Sequence, residues 1–244
     1  MSIVEKAKNN TNVNALLHDI QQKVKVKFHR SQDEAWGSNM ESGTAHIYYQ
    51  KCKNPAAPLA HELLHIATQL RGYKRIRIGV SLYDQTPLFK RFMECIDNEL
   101  QHHKFYNEFL EMELPPEEMY CENPLVLERD LKESIKSPMK FIEVLPDFFT
   151  LIAPGGSLTH EVKESLLKEV MFINSGEYHD QFKALENIVV AWRQSESYDN
   201  IPVIREIMLV LQPKPNFTWF GFNTYDHPPN QGFFVDEVFE IEND

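Results

Sequence analysis

Two histidines four residues apart constrain this chain more than any other feature. His61 and His65 enclose Glu62 in a His-Glu-Leu-Leu-His run, within an apolar segment at 60–70 that predicts a helix. Residues four apart lie on one face of a helix, one turn above the other, so both imidazoles can reach the same metal ion. The spacing therefore predicts a metal site with His61 and His65 as ligands.

The carboxylate of Glu62 directly follows the first of these histidines. From this position it can take a proton from metal-bound water and later give it to a leaving amine. Glu62 is therefore the candidate catalytic residue. A short motif can also arise by chance in a chain with 10 histidines, but this one follows a predicted strand and precedes a second helix rich in ligand-type side chains.

The second helix, predicted at about 87–112, offers three candidates for a third metal ligand: Glu99, His102 and His103. A catalytic zinc site usually takes three protein ligands and leaves one position for water. Glu99 is the first choice. His102 or His103 is the alternative, because imidazole binds zinc at least as readily as a carboxylate does. The residue left over would suit a hydrogen-bonded support for a ligand.

These motifs resemble those of the gluzincin metallopeptidases, the thermolysin-like group in which a His-Glu-x-x-His helix is followed by a helix bearing Asn-Glu. The matching residues are His61, Glu62, His65, Asn98 and Glu99. The resemblance covers only about residues 44–112, and it implies a zincin-like fold, a catalytic Zn²⁺ bound by Glu99 as third ligand, and peptide hydrolysis. His103 departs from the family pattern, which has a supporting carboxylate at that place.

The remaining pattern predicts an α+β protein with a small mixed sheet, two metal-bearing helices and a mostly helical C-terminal region. The predicted elements are a helix at 11–21, strands near 24–28 and 44–49, a helix at 60–70, a strand at 74–80, and a helix at 87–112 with Asp84 as its N-cap. A loop carrying Trp36, Gly37 and Gly43 separates the first two strands. Residues 123–211 read as successive helices.

Three regions follow from this pattern: a zincin-like catalytic region at 1–113, a helical region at 114–211, and an aromatic and acidic tail at 212–244 packed on the fold. The strand at 44–49 also resembles the zincin edge strand, along which a peptide substrate extends the sheet. A tyrosine near the site, Tyr73, Tyr106 or Tyr120, could stabilise an oxyanion, and the sequence does not choose among them.

Charge and composition indicate which classes of partner and which cellular compartment to expect. A formal net charge of −11 weighs against binding to nucleic acid or to an anionic membrane. The N-terminus lacks the apolar core of a signal peptide, and no run approaches the roughly 20 apolar residues of a membrane span, so a cytoplasmic location is expected. The three scattered cysteines, Cys52, Cys95 and Cys121, suit reduced thiols.

Three functions are compatible with these observations. The leading one is a zinc metallopeptidase that acts on a peptide or protein substrate. The second is a zincin-fold regulatory or peptide-binding protein without efficient turnover, and the third is a helical interaction protein without metal. Substrate identity, endo- or exo-cleavage, pathway and oligomeric state do not follow from the sequence.

Overall fold

The structure, a computed structural model, describes residues 2–31, 35–81, 86–120, 123–136, 140–211 and 218–223. For residues 76–81, 86–90 and 218–223 it describes the backbone alone. The predicted cap Asp84, Cys121 and most of the tail lie outside these residues. Among the helices described, none has the length and apolar character needed to cross a membrane.

The N-terminal part consists of two helices and a three-stranded sheet. Its elements are α1 (Ile3–Ala7), α2 (Thr11–Gln21), β1 (Lys25–Arg30), β2 (Gly37–Glu41) and β3 (Thr44–Tyr49). The strand order is β1-β3-β2, with β1 parallel to β3 and β2 antiparallel to it. The helix at 11–21 and the strands near 24–28 and 44–49 are confirmed.

Two expectations for this sheet are wrong. The predicted loop around Trp36 and Gly37 contains β2, which pairs with β3 through a tight turn at Ser42 and Gly43, whose φ angles are 48° and 69°. Positive φ angles at both central residues are typical of a type I′ turn, and the twist of this turn matches the right-handed twist of the two strands that it connects. As a result β3 lies in the centre of the sheet, and β2 takes the edge position that the resemblance had assigned to residues 44–49.

Helix α3 (Ala56–Leu70) carries the His-Glu-Leu-Leu-His motif and is buried along almost its whole length. It begins four residues before the predicted start at Ala60 and includes Pro58 in its first turn, where a missing N–H costs no intrahelical bond. A helix that is buried on all sides must have other elements packed around it. It packs against α1, α2, the sheet and the long helix α4 (Thr86–Glu111).

A second, two-stranded sheet joins the middle of the chain to its end. Strand β4 (Arg75–Ser81) pairs antiparallel with β5 (Thr218–Asn223). The predicted strand at 74–80 is confirmed, and the tail contributes a short strand as expected. The rest of the tail, residues 212–217 and 224–244, lies outside the described residues.

The C-terminal part is helical, as predicted for residues 123–211. A 3-10 turn at Pro116–Glu118 follows α4, and then come α5 (Pro124–Ile135), α6 (Phe141–Ile152), α7 (His160–Met171), the kinked α8 (Ile173–Gly176), α9 (His179–Gln194) and α10 (Ile201–Leu211). With the sheets, these helices make the protein a mixed α+β fold.

Helix α4 belongs to two hydrophobic cores at once. Phe92, Ile96 and Leu100 in its first half pack with the C-terminal helices. Phe105 and Phe109 in its second half pack with α2, α3 and the three-stranded sheet. The packing of both ends fixes the rotation of α4 about its axis, and Gln101 and His102 between these aromatic groups face α3.

The C-terminal core supplies a prediction about stability. Phe148 on α6 is fully buried, and its ring stacks on Phe182 with a centroid separation of 4.8 Å. Phe148→Ala is expected to lower the free energy of unfolding by about 3–5 kcal/mol, because it leaves a cavity. Leu125→Ala, at a position 77% exposed, is the control and should change it by less than about 0.5 kcal/mol. Urea unfolding measures both, and equal effects would contradict the packing described.

Candidate metal centre

Helices α3 and α4 bring three buried imidazoles together. His61, His65 and His102 each offer a ring nitrogen, and these atoms all lie within 4.8 Å of one another. The Nε2 atom of His61 is 2.8 Å from Nε2 of His65 and 3.2 Å from Nε2 of His102. These three side chains could hold one metal ion.

The outward-facing nitrogens of the two α3 histidines show which ring atoms carry the protons. His61 Nδ1 is 2.5 Å from the carbonyl oxygen of Met119, which can only accept a hydrogen bond. His65 Nδ1 is 3.1 Å from Oε1 of Gln101, whose amide is oriented because its Nε2 donates to the carbonyl of Asp97. Both imidazoles therefore carry a proton on Nδ1 and direct an Nε2 lone pair inwards when neutral.

His102 is held by a carboxylate and a phenol. Its Nδ1 lies 2.8 Å from Oε2 of Glu99 and 2.6 Å from the hydroxyl of Tyr120. Burial raises the pKa of Glu99 to about 7, against the opposing effects of His103 and Asn98. A cation on the far side of the His102 ring would favour the ionised carboxylate. Ionised Glu99 accepts a hydrogen bond from Nδ1–H of His102, which leaves the Nε2 lone pair facing the other two rings.

Three inward lone pairs this close repel one another unless a cation lies between them. A proton is a poor candidate, because burial lowers the pKa of His65 and of His102 well below the usual value, and the neighbouring His61 adds to the effect. Three nitrogens about 2.1 Å from a single ion at tetrahedral angles would be about 3.4 Å apart. Two of the observed separations are 2.8 and 3.2 Å, and the third, between His65 and His102, is no more than 4.8 Å, so the residues present could hold a metal ion.

Glu62 lies beside this cluster and faces the same cavity. Burial raises the pKa of its carboxyl, while His61, a hydrogen bond from Ser38 and the charge of Arg75 lower it. The cavity is about 350 Å³ and is lined by the two α3 histidines, Glu62, Ser38 and Arg75, among others. A molecule in this cavity would therefore meet two of the three clustered histidines and a carboxylate capable of proton transfer.

The structure sorts the three candidates on the second helix by position. His102 joins the nitrogen cluster, whereas Glu99 contacts His102 and is not part of that cluster. His103 is buried but turned away, and neither of its ring nitrogens has a hydrogen-bond partner among the residues described. The alternative His102 is thus the α4 residue that joins the two α3 histidines, and Glu99, the first choice for a third ligand, contacts His102 instead.

Two of the candidate tyrosines occupy different places in the structure. Tyr120 lines the cavity, whereas the hydroxyl of Tyr73 is buried against Asp97. Sequence reasoning missed the supporting roles of Gln101 and of the Met119 carbonyl. Gln101 stands one residue before His102, which offers a weak signal, but a backbone carbonyl 58 residues from His61 leaves none.

Fold and site together define an α+β protein with a buried three-histidine cluster that could hold a metal ion. Comparison of the chain with protein-family models, curated proteins and solved structures found no match. The functional argument therefore depends on the geometry of this cluster and of the cavity beside it.

Proposed function

We propose that this protein is a zinc-dependent metallopeptidase in which His61, His65 and His102 hold the metal and Glu62 transfers protons. The observation that carries the proposal is the convergence of three imidazoles, two of which, His61 and His65, line one cavity together with Glu62. The ligand set differs from the gluzincin pattern, because a histidine replaces the glutamate as third ligand.

The donor set favours zinc. Three imidazoles with room for a fourth position suit a catalytic zinc site, and imidazole is a common ligand of this metal. When bound there, zinc would polarise a carbonyl group and lower the pKa of a water molecule. Copper and nickel also bind imidazole, so the metal present in the purified protein is part of the test.

The chain's own residues support the proton transfer. A raised pKa makes Glu62 a stronger base in its ionised form and a group able to hold a proton at Oε until a leaving amine takes it. Ser38 hydrogen-bonds the carboxylate and restricts its orientation. The Arg75 guanidinium, held by an Nε to Oδ2 contact of 3.1 Å with Asp97, brings positive charge to the same cavity.

The position of β2 favours a peptide substrate. Gly37 and Ser38, at the start of this edge strand, line the cavity next to Glu62. Extended peptides commonly lie alongside the edge of a sheet, where backbone groups supply the contacts. The peptide bonds of a substrate extended along β2 would lie close to Glu62 and His61.

The test is cleavage of a proteome-derived peptide library by the full chain, followed by mass spectrometry of newly formed termini. Zinc-loaded protein should generate new termini, and chelator-stripped protein should not until zinc is restored. Peptides that are retained by the zinc-loaded protein but remain intact would contradict the peptidase proposal and favour a peptide-binding protein. Absence of both cleavage and retention would contradict peptides as the substrate class.

A further inference from the structure

A second and larger cavity, about 820 Å³, lies beside helix α4 and away from the three-histidine cluster. It is bounded by α4, the loop at 153–159 and helices α7 and α9. Its walls are mainly apolar and include Leu151, Leu158, Leu167, Val189 and Tyr106. The size and the apolar walls are typical of sites for small organic molecules.

Two buried polar groups in this cavity have no hydrogen-bond partner among the residues that the structure describes. The His103 side chain is only 6% exposed and lines the cavity, and neither ring nitrogen is hydrogen-bonded within the described part of the chain. The buried hydroxyl of Ser157, which also lines the cavity, likewise has no hydrogen-bond partner among the described residues. Buried polar side chains are normally hydrogen-bonded. An imidazole carries at least one N–H in any protonation state, so both groups can donate to one ligand.

Charges of both signs act on His103. The Glu99 carboxylate has the largest electrostatic effect on the imidazole, and Arg193 and Lys163, which both line the cavity, oppose it with positive charge. The Lys163 ammonium donates to the carbonyls of Ala153 and Gly155, at 2.8 and 2.6 Å, which holds its charge beside the loop.

Three carboxylates also line the cavity, and two of them have partners. Glu186 accepts a hydrogen bond from Lys183 at 2.9 Å, and Glu164 lies 3.3 Å from Nε2 of His160. Glu117, the third, is exposed on the surface. Lys163 and Arg193 therefore offset the charge of Glu99, and a carboxylate group that accepts from His103 and Ser157 would share the cavity with these two cations.

We propose that this cavity is a binding site for a small organic carboxylate with an apolar body. The carboxylate accepts hydrogen bonds from His103 and Ser157 in the field of Lys163 and Arg193, and the apolar body contacts the leucine and valine side chains. This site is separate from the proposed peptidase site and does not depend on its activity.

Isothermal titration calorimetry of the zinc-loaded full chain tests the ligand class with three probes of equal chain length: octanoate, 1-octanol and octylamine. Octanoate should bind one molecule per chain. The neutral and cationic probes should bind at least about tenfold more weakly, because a hydroxyl oxygen is a weaker acceptor than an ionised carboxylate and an ammonium group accepts no hydrogen bond. Binding of octylamine as tight as that of octanoate, or no binding of octanoate, would overturn the proposal.

Variants locate the bound probe. Ser157→Ala and His103→Leu should each weaken octanoate binding by roughly tenfold, since each removes a donor to a charged group. Arg193→Gln, at an exposed position, should weaken it by about twofold to fivefold. Lys168→Gln, also exposed but outside the cavity on the same helix as Lys163, is the matched control and should leave it unchanged.

A carboxylate can also bind zinc directly, so the titration is repeated with metal-free protein. Retained octanoate binding without zinc, together with its loss in Ser157→Ala, would support the second cavity. Binding that needs zinc and is unaffected by Ser157→Ala would place octanoate at the three-histidine cluster and overturn the assignment.

Discussion

Replacing His102 with alanine is expected to leave the purified protein without its metal after dialysis. A zinc site contributes roughly 10–16 kcal/mol, which over four positions is about 3 kcal/mol for each ligand, so loss of one weakens binding on the order of a hundredfold or more. His61→Ala and His65→Ala should give the same result. Elemental analysis of protein purified without a chelator or a histidine tag measures it, with about one metal per native chain.

Glu99 and His103 provide the controls for this experiment. Glu99→Gln should retain metal but bind it about 10–100-fold more weakly, because it removes a supporting carboxylate and not a ligand. His103→Leu should change the affinity little, since its ring faces the other cavity. A chain that keeps its metal in His102→Ala and loses it in Glu99→Gln would instead establish the carboxylate as third ligand, as in the gluzincin pattern.

Replacing Glu62 with glutamine is expected to reduce peptide cleavage by about 10²–10⁴-fold while the metal remains bound. Glutamine has nearly the same shape but cannot accept and return a proton. Glu62 does not belong to the nitrogen cluster, so its loss leaves all three imidazoles in place. Single-turnover rates on a cleaved peptide from the library, together with the metal content of the same preparation, measure both effects.

Ser38→Ala is the companion variant for this second prediction. It removes a hydrogen bond to the carboxylate but keeps the proton-transfer group itself, so a smaller loss of rate than in Glu62→Gln is expected. Cleavage that survives Glu62→Gln at the native rate would show that another group transfers the proton, and the mechanism proposed for this site would be wrong.

The third ligand illustrates what helical spacing can and cannot decide. Positions 99, 102 and 103 are three and four residues apart, so all of them fall near one face of α4. A small rotation of the helix changes which of them faces α3. The rotation is set by Phe92 and Ile96 in one core and by Phe105 in the other, and these contacts join parts of the chain that no local pattern relates.

In the three-stranded sheet, too, one strand follows from local sequence and another depends on tertiary pairing. The β-branched and aromatic residues of 44–49 predicted a strand correctly, because strand preference is largely local. Residues 37–41 include Gly37, Ser38 and Asn39, which are poor strand formers, and they pair only because the turn at Ser42 and Gly43 folds them back on β3. That pairing moved the edge of the sheet, and with it the strand that borders the cavity.

The sequence by itself determined the α+β class, the two helices that carry the chemistry, and the positions of His61, Glu62 and His65 on one of them. Helical periodicity and residue spacing are local properties, so they can be read without a fold. Only the tertiary structure decided that His102 faces the α3 histidines, that Glu99 supports it, and that His103 opens onto a separate cavity. These choices depend on how α4 packs between two cores, and that packing is the sum of contacts from the whole chain.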